Sequence, residues 1–296
     1  MATTRGRVLL GLGLGVVVLS FASVLIRLTP AASIVIAAGR MAISTLILTP
    51  LFLARLPKAR AELRGVNPWP LVVAGLLLGA HFALWIESLN RTSVVSSVVL
   101  VTMDPIFVSL LSPLFLREKA SGRVWLAVLL GVAGAAIVAG PNLGSAALTT
   151  GNLLAVGGSA CAAGYLLVGR SVRPRVSLLT YIFIVYGIAA VALVPVALLS
   201  GAQYIGLPAR AWLFIALLAV GPQLLGHTSF NWALRWLATP VVAIAILGEP
   251  VGTTLLAWGI LGETPRVFEL AGGLVIMAAI YLAATDRQKP ALEPAG

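Results

Sequence analysis

Residues 81–118 read HFALWIESLNRTSVVSSVVLVTMDPIFVSLLSPLFLRE, and residues 227–263 read HTSFNWALRWLATPVVAIAILGEPVGTTLLAWGILGE. Each stretch opens on a histidine, runs through apolar sequence broken by an acid–proline pair, and closes on a glutamate. The apolar blocks are about twenty residues long, the length an α-helix needs to cross a bilayer core. They are continuous rather than alternating, so they read as helices and not as barrel strands. Extended in both directions, the same reading divides the chain into ten blocks, at 8–27, 32–54, 70–90, 94–116, 123–140, 151–169, 178–200, 210–234, 239–262 and 267–284. Pro and Gly mark most of the gaps, among them Thr29-Pro30, Asn67-Pro68, Pro141-Asn142, Arg173-Pro174, Leu207-Pro208 and Thr264-Pro265. The sequence predicts an all-α integral membrane protein of ten transmembrane helices.

Composition agrees. Hydrophobic residues make up 60% of the chain and charged residues 10%, against about 25% charged in soluble domains. The mean hydropathy is +1.05. A net charge of +11 would suit a nucleic-acid partner if it were clustered, but the basic residues are scattered among short loops, and no nucleic acid is expected. They read instead as topology signals. With the N-terminus inside, Arg5, Arg7, Arg55, Lys58, Arg60, Arg64, Arg117, Lys119, Arg123, Arg170, Arg173, Arg175, Arg235, Arg287 and Lys289 lie inside; only Arg27, Arg91, Arg210 and Arg266 lie outside. That positive-inside bias places both termini in the cytoplasm of a bacterial inner membrane. Arg5 and Arg7 followed by an apolar run to Ser20-Phe21-Ala22 loosely resemble a signal peptide, yet the run continues through Val24, Leu25 and Ile26, so a retained helix is expected. The single cysteine, Cys161, excludes an internal disulfide and cysteine-based metal or redox motifs. It reads as a small packing residue.

The two quoted stretches are copies of one pattern. His81, Asp104-Pro105 and Glu118 are separated by 23 and 14 residues; His227, Glu249-Pro250 and Glu263 by 22 and 14. The chain is read as a duplicated five-helix unit, 1–143 and 144–296, within one membrane domain. Five is odd, so the second copy enters the membrane upside down. Inverted repeats are typical of secondary transporters, which hold substrate near the midplane between the repeats.

The segment His81 to Leu89, followed by Thr92-Ser93-Val94-Val95-Ser96-Ser97-Val98-Val99-Leu100, resembles the EamA-type drug/metabolite transporters. So do Asp104-Pro105 leading to Arg117-Glu118, Glu249-Pro250 leading to Leu261-Gly262-Glu263, and Arg40 within Ala38-Gly39-Arg40-Met41. The resemblance covers residues 8 to 284, and its order and spacing are more specific than any one motif. It departs at Ala127, where the family usually has glycine; Gly272 keeps that glycine in the second half. The resemblance implies a ten-helix metabolite exporter, similar to bacterial exporters of aromatic and other amino acids. It also implies that helices 1, 3, 4, 6, 8 and 9 surround a central cavity, with helices 5 and 10 more peripheral.

Ionisable groups inside a span are costly and each requires a reason. His81, Trp85 and Ser88 share one helix face, with Glu87 one residue off it; Gln223, His227 and Asn231 make a second polar stripe at i, i+4 and i+8. Such stripes should face a cavity, although interhelical hydrogen bonding would also account for them. His81, Trp85, Tyr165, Gln223, His227, Asn231 and Trp232 are the candidate substrate-binding residues. Tyr165 and Trp232 would offer an apolar surface, or pack the bundle. Arg40, Glu87, Asp104, Pro105, Glu249 and Pro250 are the candidate coupling or gating residues. Each acid–proline pair puts a carboxyl group beside a helix breaker. That carboxyl could titrate, bind a substrate ammonium or pair with Arg40, whose simplest reading is as partner to one of these acids. Glu118 and Glu263 sit at helix ends and read as structural, through capping or loop ion pairing. Gly11/Gly15, Gly75/Gly79 and Gly248/Gly252 suit close helix approach.

Neither a metalloprotease motif nor a phosphate loop is present, and two histidines make a weak metal site. No catalytic residue, metal or cofactor is expected, and no enzyme. The expected partners are a small-molecule substrate and the lipid bilayer, with a monomer the simplest state. The function expected is secondary export of amino acids or related metabolites by alternating access. The alternative is proton-coupled efflux of drugs or toxic cations, and a passive channel is a third class.

Overall fold

The computed structural model describes residues 2–92, 94–139, 149–204, 206–261 and 264–286. The gap at Pro141-Asn142, the boundary at 143/144, Ser93, Gly262-Glu263, Arg287 and Lys289 fall outside the described residues. Among those described, every regular element is helical. In chain order they are α1 (Ala2–Leu19), α2 (Phe21–Leu28), α3 (Ser33–Ala54), α4 (Leu56–Leu63), α5 (Trp69–Arg91), α6 (Val94–Val101), α7 (Asp104–Phe115), α8 (Gly122–Ala139), α9 (Thr150–Val172), α10 (Leu178–Leu199) and α11 (Ala209–Leu218). A π-helix (Ala219–His227) follows, then α12 (Thr228–Ala233), α13 (Thr239–Ile246), α14 (Gly248–Leu261) and α15 (Val267–Ala284).

Nine segments among the described residues are long and apolar enough to cross a membrane: Arg5–Leu28, Ser33–Ala54, Trp69–Arg91, Ser96–Phe115, Thr150–Val172, Leu178–Leu199, Ala209–Ala233, Thr239–Ile260 and Val267–Ala284. They coincide with nine of the ten expected blocks. The expected block 123–140 corresponds to a shorter apolar helix, Gly122–Val138. Large apolar side chains such as Leu114, Leu199, Leu274 and Tyr281 point outward. Arg40, Asp104, Gln223 and Glu249 are buried. This polarity, apolar outside and charged inside, is what a lipid solvent selects.

Helix breakers are expected from the sequence at the two acid–proline pairs; four of the observed spans are broken. The first breaks at Ser20, whose carbonyl accepts from Thr253 Oγ1 at 3.2 Å. Ser96–Phe115 breaks between α6 and α7, and Thr239–Ile260 between α13 and α14. Ala209–Ala233 passes through the π-helix, which contains Pro222. The loop expected after residue 54 holds the short helix α4. Pro57 lies in its first turn, where its missing N–H costs nothing. Glu62 of α4 accepts from Thr180 Oγ1 at 2.8 Å and from the Ser177 N–H at 3.2 Å. Burial pushes the Glu62 carboxyl up, but these hydrogen bonds, with Lys58 nearby, outweigh it and hold it below the ordinary glutamate value.

Packing runs across the two halves. α5 packs on α9, and the first span packs on the π-helix; α3 packs on α10, α8 on α15, and α7 on α13. Each of these pairings maps onto itself or onto another when the two halves are exchanged. The small-residue pairs are close contacts: a Cβ on Gly15 would lie 1.7 Å from Ser229 Oγ, and one on Gly75 would lie 2.6 Å from Ile188.

Candidate functional site

The two acid–proline pairs do not bend continuous helices. They start new ones. Asp104 and Pro105 are the first two residues of α7, and Glu249 and Pro250 lie in the first turn of α14. A helix N-terminus favours a negative side chain and tolerates proline. Before the first break, Thr102 Oγ1 donates to the carbonyls of Val98 and Val99 at 2.8 and 3.2 Å.

A cavity lies where these breaks meet. His81, Trp85, Asp104, Tyr165, His227 and Glu249 line it, together with Leu19, Val101, Thr102, Ala162, Leu166, Phe230 and Ile246. The cavity volume is about 30 Å³. That is room for two or three waters, too narrow for an amino acid without side-chain or helix movement.

The repeat-matched histidines meet there, with ring centroids 6.2 Å apart in an edge-to-face arrangement. His81 Nδ1 donates to the Gly158 carbonyl at 2.9 Å. A carbonyl only accepts, so Nδ1 carries a proton and the neutral ring keeps its lone pair on Nε2. Trp85 stacks on His81 at 5.9 Å, and Phe230 meets the His227 ring at 5.6 Å. Four buried polar atoms of the lining have no hydrogen-bond partner: Trp85 Nε1, Asp104 Oδ2, His227 Nδ1 and Glu249 Oε1. Buried polar groups are rarely left so.

Behind the lining lies a second polar group. Asn231 Nδ2 donates to Tyr165 OH and, at 2.9 Å, to the His227 carbonyl. Arg40 Nη2 donates to Gln223 Oε1 at 2.8 Å, and its guanidinium lies 3.9 Å from the Phe82 ring centroid. The carboxylate expected to partner Arg40 makes no ion-pair contact with it among the described residues; Glu249 acts on Arg40 electrostatically, from beyond contact distance. Among the described residues the ion pairs are Arg91–Glu87 and Arg170–Glu118, and an amide oxygen and an aromatic face hold Arg40 instead.

Two candidates lie elsewhere. Glu87 pairs with Arg91 at 2.6 Å, both side chains at least a third exposed (35% and 54%). Its offset from the His81 stripe turns it away from the cavity. Trp232 packs on the first span, where a Cβ on Gly11 would touch its ring at 2.7 Å. Phe82, Thr102, Tyr186 and Phe230 also belong to the site, and no sequence motif marks them. Phe82 and Phe230 carry only the signal of adjacency, one residue after His81 and three after His227. Tyr186, which bridges to Thr228 at 3.2 Å, carries none.

At one end of the bundle, buried Glu118 takes Arg170 Nε at 2.7 Å and, on its other oxygen, the Thr239 N–H and hydroxyl at 3.2 and 3.1 Å. It thereby caps α13 and ties α7 to α9, the structural role expected of it.

This arrangement has known relatives. The pseudopaline exporter CntI of Pseudomonas aeruginosa is 28% identical over 263 residues, 87% of this chain and 88% of its own. An uncharacterized transporter of Archaeoglobus fulgidus is 26% identical over 201 residues, 68% of this chain and 71% of its own. A protein crystal structure superposes with a TM-score of 0.77 at 18% identity, covering 94% of this chain and 97% of that one, and so shares the fold. The EamA-like transporter family matches twice, over residues 7–140 and 149–285. The protein is therefore a multi-pass membrane protein belonging to the EamA-like transporter family.

Proposed function

We propose that this chain is a secondary transporter that exports amino acids or related small metabolites across a bacterial inner membrane by alternating access, without enzymatic activity of its own. The observation carrying this reading is the cavity in which His81 and His227, matched between the halves, meet between two broken helices. Discontinuous helices around a midplane site are a recurrent transporter design. The exchange-symmetric packing and the double family match support two inverted five-helix repeats, residues 1–143 and 144–296, that move against each other. The exporter named among the relatives supports the outward direction, and charge asymmetry supports cytoplasmic termini. The lining residues His81, Trp85, Tyr165 and His227 would contact substrate, with Gln223, Asn231 and Arg40 fixing them from behind. Asp104-Pro105 and Glu249-Pro250 would gate. A monomer suffices for this site.

The test is counterflow in proteoliposomes preloaded with unlabelled amino acids, following labelled phenylalanine or threonine. Saturable exchange that falls at least tenfold in both His81→Ala and His227→Ala supports the reading. No exchange above empty liposomes, with folded protein, overturns it. Two carboxyl groups within an aromatic-walled cavity favour one further reading, proton-coupled efflux of drugs or toxic cations. In that case lipophilic cations compete and an imposed pH gradient drives transport.

A further inference from the structure

The cavity has a chemical polarity. Asp104 and Glu249 reach it from the two broken helices, and among the described residues no lysine or arginine lines it. Each acid is at least nine-tenths buried and leaves one carboxyl oxygen without a hydrogen-bond donor. Arg40 is not part of the lining; it is bonded to Gln223 and lies over the Phe82 ring, and it acts on Glu249 only electrostatically, without contact. Of the unpartnered lining atoms, Trp85 Nε1, on a side chain only 2% exposed, can only donate, whereas His227 Nδ1 donates or accepts with its tautomer.

From this we infer that the site recognises its substrate by a cationic amino group held between Asp104 and Glu249, with Trp85 Nε1–H donating to a neutral acceptor on the same molecule. The inference rests on the transport reading above and narrows its substrate class: the amine is the recognised end and a carboxylate is dispensable. An ammonium fills both vacant acceptors and is charge-paired as it leaves water, the condition under which burying a charge is tolerated. A carboxylate in the same place meets two acids and finds only one donor of fixed identity, the indole N–H. Like charges brought together this way are rejected strongly. Aromatic walls at Trp85 and Phe230 suit a cation with an apolar body.

The experiment is competition against labelled phenylalanine in counterflow. Its competitors are phenylalaninamide (ammonium, no carboxylate), N-acetylphenylalanine (carboxylate, no ammonium) and phenethylammonium (ammonium, no acceptor). Phenylalaninamide should compete at least as well as phenylalanine, and N-acetylphenylalanine at least tenfold worse. Asp104→Asn and Glu249→Gln should each weaken phenylalaninamide tenfold or more. Trp85→Phe keeps an aromatic wall but loses the N–H, so it should weaken phenylalaninamide and spare phenethylammonium. Equal competition by N-acetylphenylalanine, or an unchanged preference in both acid variants, overturns the inference. If no compound exchanges in the wild type, the transport reading fails separately. Recognition is then read as thermal stabilisation of the purified protein by phenethylammonium. A shift lost in Asp104→Asn and Glu249→Gln sustains the inference, and no shift ends it.

Discussion

Arg40 is held in the middle of a span by a neutral partner. Its guanidinium has Gln223 Oε1 at 2.8 Å and the Phe82 face at 3.9 Å, while Nε and Nη1 find no acceptor. A hydrogen bond to a charged group contributes about 1.5–3 kcal/mol, and removing the acceptor leaves the charge buried without it. Gln223→Leu should therefore lower stability by about 2–3 kcal/mol in reversible unfolding in detergent. Adding Arg40→Met should recover most of that loss, because the uncompensated charge leaves with it. Glu87 is the contrast. Its pair with Arg91 is exposed and within one helix, so Glu87→Gln should change stability by less than about 1 kcal/mol and leave exchange unaltered. Glu62 gives a pH test with a definite sign. Its folded-state carboxyl is held low by Thr180 and Ser177, so it stabilises the fold above the usual glutamate value, about 4.3, and that contribution fades as pH falls through the folded value. The melting difference between wild type and Glu62→Gln should be present at pH 7 and shrink below pH about 4. A difference that grows on acidification would contradict this assignment.

Glu118 shows how one side chain can organise three helices. It is buried with Arg170 and caps the first turn of α13 through Thr239. Breaking a buried pair from one side costs about 3–5 kcal/mol, so Glu118→Ala should be among the most destabilising single changes, seen as a large fall in melting temperature. The α8–α15 contact is of another kind. A Cβ on Gly272 would lie 2.6 Å from the Gly134 carbonyl oxygen and 2.7 Å from the Val138 nitrogen, both backbone atoms that cannot swing away. This is the glycine that the second half keeps where Ala127 stands in the first. Much of this architecture is legible in sequence. The nine span-length segments and the shorter helix Gly122–Val138 follow from apolar length, and the meeting of His81 with His227 follows from the repeat spacing. The π-helix does not, because its carbonyls are engaged by tertiary contacts: Ser44 Oγ donates to the Ala219 carbonyl and Tyr186 OH to that of Gln223. Read with an α-helical period, Gln223, His227 and Asn231 form one stripe. In the fold His227 reaches the cavity while Gln223 turns to Arg40. The contact partner of Arg40 is likewise invisible in sequence, since Asp104 and Glu249, with stronger charge complementarity, lie in other spans and spacing does not rank them below Gln223.

The side-chain bonds at the chain ends fix a parity for the whole molecule. Arg5 Nη2 donates to the Ala284 carbonyl at 3.0 Å, Arg123 Nη2 to Thr285 Oγ1 at 2.9 Å, and Ser121 Oγ to Asp286 at 3.2 Å. Residues 5, 121, 123 and 284–286 therefore share one face, and the chain must cross the membrane an even number of times between any two of them. Four span-length segments lie between Arg5 and Ser121, which satisfies this. Between Arg123 and Ala284 there are five, which does not unless α8 also crosses. At about 1.5 Å per residue its described residues fall only slightly short of a bilayer core of about 30 Å. Thr92 Oγ1 bonds Asn152 at 2.8 Å, which puts the start of α9 on the face opposite Arg5. Under the proposed inversion the first unit begins on one face and the second on the other. Cysteines placed singly at Arg123 and Thr150, with Cys161 replaced by serine, should react with a membrane-impermeant maleimide from opposite sides. The cysteine at Arg123 should be protected in intact cells and labelled in inside-out vesicles, matching a cysteine at Arg60, because that face carries the excess of Lys and Arg. If Arg123 and Thr150 are labelled from the same side, α8 does not cross, and inversion of the two halves falls with it.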